Sequence, residues 1–371
     1  GQYHGLSQRP SCKHARDSNN GNLQCCAGTI RRHHHRHILS APSKKLKTYG
    51  IQCNTLRGNH IFFAHFGNTL AQRQRSNTIG IAKCHNTQTN NCRHTGVSAA
   101  GFIVNISDHF EDIFGASDAV QHILEHDPSS IEIMDKNVLE RSRQSAGLAS
   151  NMAFIEGNPG AILVVEFYGE SDAELTDKTD KLKEDMARRS LGYACVNVLD
   201  RAAQASVWAV RKNGLGLLMS MHGDAKPLPF VEDTAVDPDK MGEFVRRFDE
   251  VVRNHDTEAA YYGHASVGCL HIRPVVSLKS RDGVNKMLSI ADEISDLVKE
   301  FGGSLSGEHG DGIVRGVWNE KMFGPEIYKL FQELKGTFDP DGIMNPNKII
   351  DCPPMDHNLR YGADYRAPSL P

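Results

Sequence analysis

Acidic residues are almost confined to one stretch of this chain. Of 45 Asp and Glu, 44 lie beyond residue 100, and the first hundred residues hold one acid, Asp17, against 14 Lys and Arg. The charge balance is +13 over residues 1–100 and −16 over residues 101–371, so the net −3 is the difference between two unlike sequences. The first stretch also holds ten of the 19 His and six of the nine Cys. Apolar periodicity is nearly absent from it. A segment of that kind cannot bury enough apolar surface to offset the entropy of ordering it, so residues 1–98 are expected to be disordered. Its excess of Asn, Gln, His, Arg and Cys is that of an out-of-frame or mis-joined translation. A basic stretch also suits polyanions. The run from Arg31 to His37, and Cys84, His85, Cys92 and His94, offer ligand-type side chains. Against this, no C-x-x-C occurs in the chain, and aromatics are not interleaved with the bases as a stacking platform requires. No nucleic-acid partner is expected.

The remaining sequence is that of a globular protein. Its longest aliphatic run is Ala161 to Val165, far short of a membrane span. No signal pattern follows Gly1. Cys195, Cys269 and Cys352 are scattered, which suits a reducing compartment. Period-two patterning predicts strands at 102–106, 130–134, 160–168 and 193–199, with two more near 259–273. Helical spacing predicts helices over 111–125, 171–189, 200–212, 241–252, 284–298 and 325–336. Asp135 and Asp200 stand where helix N-caps are needed. Strands and helices in this order imply an α+β domain over 99–351, an antiparallel sheet with helices packed on one side. Residues 352–371 are Pro-rich and read as an extended tail.

Three segments carry residues suited to chemistry. The first is Gly263-His264-Ala265-Ser266-Val267-Gly268-Cys269-Leu270-His271. A two-residue turn at Val267-Gly268 would place His264 opposite His271, close enough to share a metal. The second is Ser306-Gly307-Glu308-His309-Gly310-Asp311-Gly312. Glu308 can complete a two-His-one-carboxylate set and leave positions open for substrate. His309 can serve as a general base. The glycines here form no dinucleotide fingerprint, which argues against a nicotinamide site. The third runs from Trp208 through Arg211 to Lys226 and Glu232-Asp233-Thr234. Arg211, expected near a helix end, can grip a carboxylate with two hydrogen bonds. Each feature also has an ordinary structural reading: a hydrogen-bonded buried His, a Gly-rich turn, a solvated Arg.

Taken together, Gly263-His264-x6-His271, Ser306-Gly307-Glu308-His309-Gly310, Phe338-Asp339-Pro340 and Met344-Asn345-Pro346-Asn347-Lys348 resemble the C-terminal domain of FAD-linked oxidases. That group includes D-lactate dehydrogenase, the glycolate oxidase flavin subunit and D-2-hydroxyglutarate dehydrogenase. The resemblance covers about 101–371. Asn358 to Arg366 resembles the variant fused to an iron–sulfur domain, whose cluster would lie outside this chain. The resemblance implies FAD and a divalent metal, with zinc the first choice, in the oxidation of a D-2-hydroxy acid to a 2-oxo acid. It assigns His264, His271 and Glu308 to the metal and His309 to the hydroxyl proton. It assigns Arg211 and Arg273 to the substrate carboxylate and Asn345 to the flavin. Arg273 stands where the hydroxyglutarate enzymes carry an Asn, so the substrate stays open. Lys226 and Thr234 align loosely and receive no role. The family's Gly-rich FAD domain is missing from residues 1–100, so that domain is expected as a partner. The implied location is cytoplasmic or peripheral to the inner face of the membrane. Two other functions fit the same residues: an inactive fragment without the FAD domain, and a flavin-independent metal-binding or hydrolytic protein.

Overall fold

The computed structural model describes residues 102–363, 365 and 366. The expectation for residues 1–98, with its His and Cys runs, lies outside them. The elements open with β1 (Phe102–Phe110), α1 (Ile113–Leu124), β2 (Ser130–Asp135) and α2 (Lys136–Gln144). Then come β3 (Ala161–Gly169), α3 (Asp172–Arg189), β4 (Ala194–Val198) and α4 (Arg201–Met219). The short strands β5 (Lys226–Pro227) and β6 (Thr234–Ala235) precede α5 (Met241–Asn254), β7 (Ala259–His264) and β8 (Cys269–Val276). The helices α6 (Arg281–Glu300), α7 (Asn319–Phe323) and α8 (Pro325–Phe338) complete the set.

The strands form one antiparallel sheet in the order β4-β1-β3-β2-β7-β8-β5, with β6 paired to β8. Successive side chains along a strand point to opposite faces. Ile131, Ile133, Leu163 and Val165 therefore enter one core, which they share with the apolar sides of α1, α3, α5 and α6. Phe244 and Phe248 of α5 and Ile290 and Ile294 of α6 are fully buried there. Side chains of this size stabilise the fold by about 1.5–3 kcal/mol each. Met134, Ile162 and Val164 point the other way, to a smaller core under α2 and α4. The main helical layer lies on one side as expected, and α2 and α4 add a partial cover on the second face.

Helix starts follow the caps. The carboxylates of Asp112, Asp135 and Asp200 accept the N–H groups of Gly115, Val138 and Ala203, and the Ser171 hydroxyl accepts that of Glu174. Each satisfies one backbone donor that has no partner within its helix. One expected end is corrected. The helix predicted to stop near Lys212 continues to Met219, straight through Gly214 and Gly216. A Cβ on Gly214 would sit 2.7 Å from Cγ1 of Val138, so that glycine lets α4 press against α2 rather than ending it. Arg211 consequently stands in mid-helix.

Candidate active site

The site grows from the second face of the sheet, beyond the reach of α2. Its floor is the β7–β8 hairpin. The expected pairing of His264 with His271 is not found: His264 faces Cys269 and Tyr262 faces His271. The connection is a 3-10 turn over Ala265–Val267 closed by Gly268 at φ 63°, longer than the two residues expected. A Cβ on Gly268 would fall 1.9 Å from the Val236 carbonyl oxygen, so glycine is required there twice over. The slip moves the register by two residues. An even slip keeps every side chain on its face. His264 and His271 thus still meet, diagonally and edge to face, with ring centroids 5.2 Å apart. Arg273 and Tyr262 share that face.

The loop after α6 forms the wall. Ser304 pairs with Ala235, and Gly307 N–H donates to the Asp233 carbonyl at 2.7 Å. Asp233 is fully buried with φ 77°. Its carboxylate accepts Ser306 Oγ at 2.6 Å, Glu308 N at 3.0 Å and His309 N at 2.8 Å. Arg315 adds two bonds, from Nη1 to the Glu232 carbonyl and from Nη2 to the Gly310 carbonyl, each 2.7 Å. Asp233 therefore aims Glu308 and His309. The sequence placed it in the third segment without a role, and the clue was one acid adjoining another in a buried stretch.

Glu308 is the centre. Its Oε1 lies 3.2 Å from Nε2 of His264, 3.2 Å from Nε2 of His271 and 3.2 Å from Nε2 of His309. The His271 and His309 rings stack with an interplanar angle of 6°. Asp233, His271, Glu308 and His309 hold ligand-type atoms within 4.8 Å of one another. Two of the three far nitrogens have partners: His264 Nδ1 is 2.6 Å from Glu132 Oε1, and His309 Nδ1 is 3.4 Å from Glu232 Oε1, while the buried Nδ1 of His271 has no hydrogen-bond partner among the described residues. Electrostatics follow from these contacts. Hydrogen bonds from the three imidazoles hold the Glu308 carboxyl far below the usual carboxylate range. Burial pushes His264 down, but its bonds to Glu132 and Glu308 prevail and carry it up to about 9. Glu232 and Glu308 lift His309 to about 10. Burial pushes His271 down.

These residues fit a divalent cation. A neutral imidazole has one N–H, so His264 and His309 can bond a carboxylate at each nitrogen only as imidazolium ions. With a cation beside Glu308, both rings can be neutral, each giving Nδ1–H to its outer carboxylate and turning the Nε2 lone pair inward. That is the usual arrangement behind a metal-binding histidine.

Arg211 reaches the same centre from α4. Its Nε donates to Glu132 Oε2 at 2.9 Å, and its guanidinium lies 5.0 Å from the Tyr262 ring centroid. Arg273 pairs with Glu232 and stands 5.7 Å from the same ring. Glu132, Glu232 and Tyr262 had no assigned part in the sequence reading. Asn345 is not among the residues gathered here. It is exposed on the segment after α8, at φ 46°, and that segment joins the site loop through Ile349 N to the Gly312 carbonyl at 2.8 Å. Lys226 donates to the Met221 carbonyl, and Thr234 is buried in β6.

The fold is an antiparallel α+β domain that carries imidazoles, carboxylates and guanidinium groups on one face of its sheet. Residues 102–349 match the family described as FAD linked oxidases, C-terminal domain, and the chain belongs to that family. It is 34% identical over 238 residues to D-2-hydroxyglutarate dehydrogenase of Haemophilus influenzae, covering 61% of this chain and 23% of that protein. It is 29% identical over 225 residues to D-lactate dehydrogenase of Anaerostipes hadrus, covering 60% of this chain and 46% of that protein. The chain thus spans under half the length of either. Among solved structures, p-cresol methylhydroxylase with substrate bound shares the fold at TM-score 0.51 and 13% identity, over 67% of this chain and 53% of that one. Among the described residues, no helix is long and apolar enough to cross a membrane.

Proposed function

We propose that residues 99–351 supply the substrate half of a flavin-dependent oxidation, converting a D-2-hydroxy acid to the 2-oxo acid. The observation that carries this reading is the convergence of three imidazole nitrogens on Glu308 Oε1 beside Arg211. Both kinds of named relative act on hydroxy acids, and the family is FAD linked.

His264, His271 and Glu308 would hold the metal. Asp233 is the weaker candidate ligand, because its oxygens already serve Ser306, Glu308 and His309. A divalent cation there supplies Lewis-acid polarisation of the substrate hydroxyl and carboxylate oxygens. A flavin, which Asn345 would approach and a domain outside the described residues would mainly hold, would supply the hydride acceptor for the substrate Cα. The chain's own residues do the rest. His309 accepts the hydroxyl proton. A cation engaging Glu308 would take away one of the two carboxylate contacts that raise it and set a positive charge nearby, which favours the neutral base, while the Glu232 contact stays in place. Arg211 and Arg273 orient the carboxylate.

Charge supports this. Four carboxylates (Glu132, Glu232, Asp233, Glu308) meet three guanidinium groups (Arg211, Arg273, Arg315), and the carboxyls of Glu166 and Asp311 adjoin them, so the cluster is negative with neutral histidines. A divalent cation would offset that negative charge, which suits an anionic substrate. The test is calorimetric titration of D-2-hydroxyglutarate, D-lactate and their L enantiomers into the full chain with and without zinc. The reading expects zinc-dependent binding of a D enantiomer. Equal binding of both enantiomers, or binding indifferent to zinc, contradicts it.

A further inference from the structure

We propose that Glu132 and Glu232 are a matched pair of positioning residues, each tying one histidine of the metal-side cluster to one arginine of the substrate side. The inference rests on the metal reading above and extends it to residues to which neither the sequence nor the family resemblance gave a part.

The two carboxylates come from unrelated parts of the chain, and each faces one histidine and one arginine, Glu132 through hydrogen bonds and Glu232 through ion pairs. Glu132 lies on β2, opposite His264 in the β2–β7 ladder. Its Oε1 is 2.6 Å from His264 Nδ1 and its Oε2 accepts Arg211 Nε at 2.9 Å. Glu232 precedes β6. Its Oε1 is 3.4 Å from His309 Nδ1 and its Oε2 meets Arg273 Nη2. Both glutamates are 7% exposed. Both arginines lie over the one Tyr262 ring.

Two consequences follow from acceptor geometry. With a cation beside Glu308, a carboxylate facing Nδ1 keeps the proton on that nitrogen, so the Nε2 lone pair of His264 and of His309 is turned inward. The same carboxylate fixes the guanidinium on its other oxygen. Metal side and substrate side are thereby held in one register, and neither can shift without straining a buried ion pair. A surface ion pair would have no such effect. Isolated burial of these acids would be unfavourable without both partners.

Glutamine separates this role from packing. It matches glutamate in shape but has one acceptor oxygen, so it can serve the guanidinium or the imidazole, not both. The experiment compares the full chain with E132Q, E232Q and, as control, E300Q, whose parent carboxylate pairs with Arg247 at the surface. Zinc affinity is read by chelator competition, the cobalt(II)-substituted site by its visible spectrum, and folding by thermal melting without metal. E132Q and E232Q are expected to melt cooperatively, bind zinc about 10–100-fold more weakly and shift the cobalt spectrum, while E300Q matches the parent. Zinc affinities within twofold of the parent, with unchanged spectra, overturn the proposal while leaving the metal reading intact. A parent that takes up no zinc overturns the metal reading, and this proposal with it. Should a variant fail to fold, nitrogen NMR of the zinc-loaded parent decides: a protonated Nδ1 on His264 supports the pairing, and a metal-bound Nδ1 overturns it.

Discussion

Glu132 stands directly across the β2–β7 ladder from His264, with Oε1 2.6 Å from the imidazole Nδ1. Two residues 132 positions apart are thus neighbours by sheet pairing alone. The contact ties the site to the centre of the sheet rather than to its loops, and a site on a strand is held more rigidly than one on a loop.

Arg211 is the guanidinium best placed for a substrate carboxylate. Arg211→Lys keeps the charge but loses the planar fork and its stacking on Tyr262. The zinc-loaded variant is expected to bind the preferred D-2-hydroxy acid at least about tenfold more weakly, equivalent to about 1.4 kcal/mol. Titration calorimetry checks this, and unchanged affinity would remove Arg211 from the substrate site.

Asp233 organises the wall: its carboxylate accepts Ser306, Glu308 and His309 from the loop and the Cys269 thiol from β8. Asp233→Asn replaces one acceptor oxygen by an amide that must donate. One buried N–H or hydroxyl then loses its partner, at a cost of about 1–3 kcal/mol. Hydrogen exchange at the Glu308 and His309 amides should speed up in the variant, and zinc affinity should fall. Unaltered exchange would show that the loop is held by other contacts.

At Gly307 the loop passes close against the hairpin. A Cβ there would meet Cys269 Sγ at 2.7 Å and Ala235 Cβ at 3.1 Å. Gly307→Ala should destabilise the fold by about 1–3 kcal/mol through overpacking. Urea melts read the loss. A neutral result would mean that the loop can lift from β6 freely.

Asp108 gives a pH test remote from the site. Burial pushes its carboxyl up to about 7, against smaller opposing effects of Cys195 and Lys183. A carboxyl raised by folding stabilises the fold below its unfolded value of about 4, and that stability is lost as pH rises through 7. Asp108→Asn removes the titration. The variant should exceed the parent in stability by a few kcal/mol at pH 8, since each tenfold change in acidity is equivalent to about 1.4 kcal/mol, and should lose that advantage at pH 4. Asp135, which burial raises to about 6, titrates in both proteins and leaves a shared slope. Parallel stability curves for parent and variant would show that Asp108 is neutral throughout or is not desolvated.

Local patterns were legible where they have local causes. Caps at Asp135 and Asp200 lie within three residues of the N–H they accept, so the sequence displays them. His264, His271, Glu308 and His309 stood out because polar residues interrupted core patterning, and the structure gathers all four. The hairpin register was misread because Ala265–Val267 forms a 3-10 turn that Val-Gly chemistry does not announce. The length of α4 was misread because a glycine in close packing looks like a glycine at a helix end. Glu132 was invisible for a different reason. Between Ile131 and Ile133 it reads as the outward residue of a strand, and nothing local reveals that this second face carries the site.

Anomalous X-ray diffraction at the zinc edge, on crystals of the full chain grown with zinc, tests the central claim most directly. The account predicts one strong peak within ligand distance of His264 Nε2, His271 Nε2 and Glu308. A peak only elsewhere, such as at the histidines between Arg31 and Arg36, or none at Glu308 in zinc-saturated crystals, would contradict it.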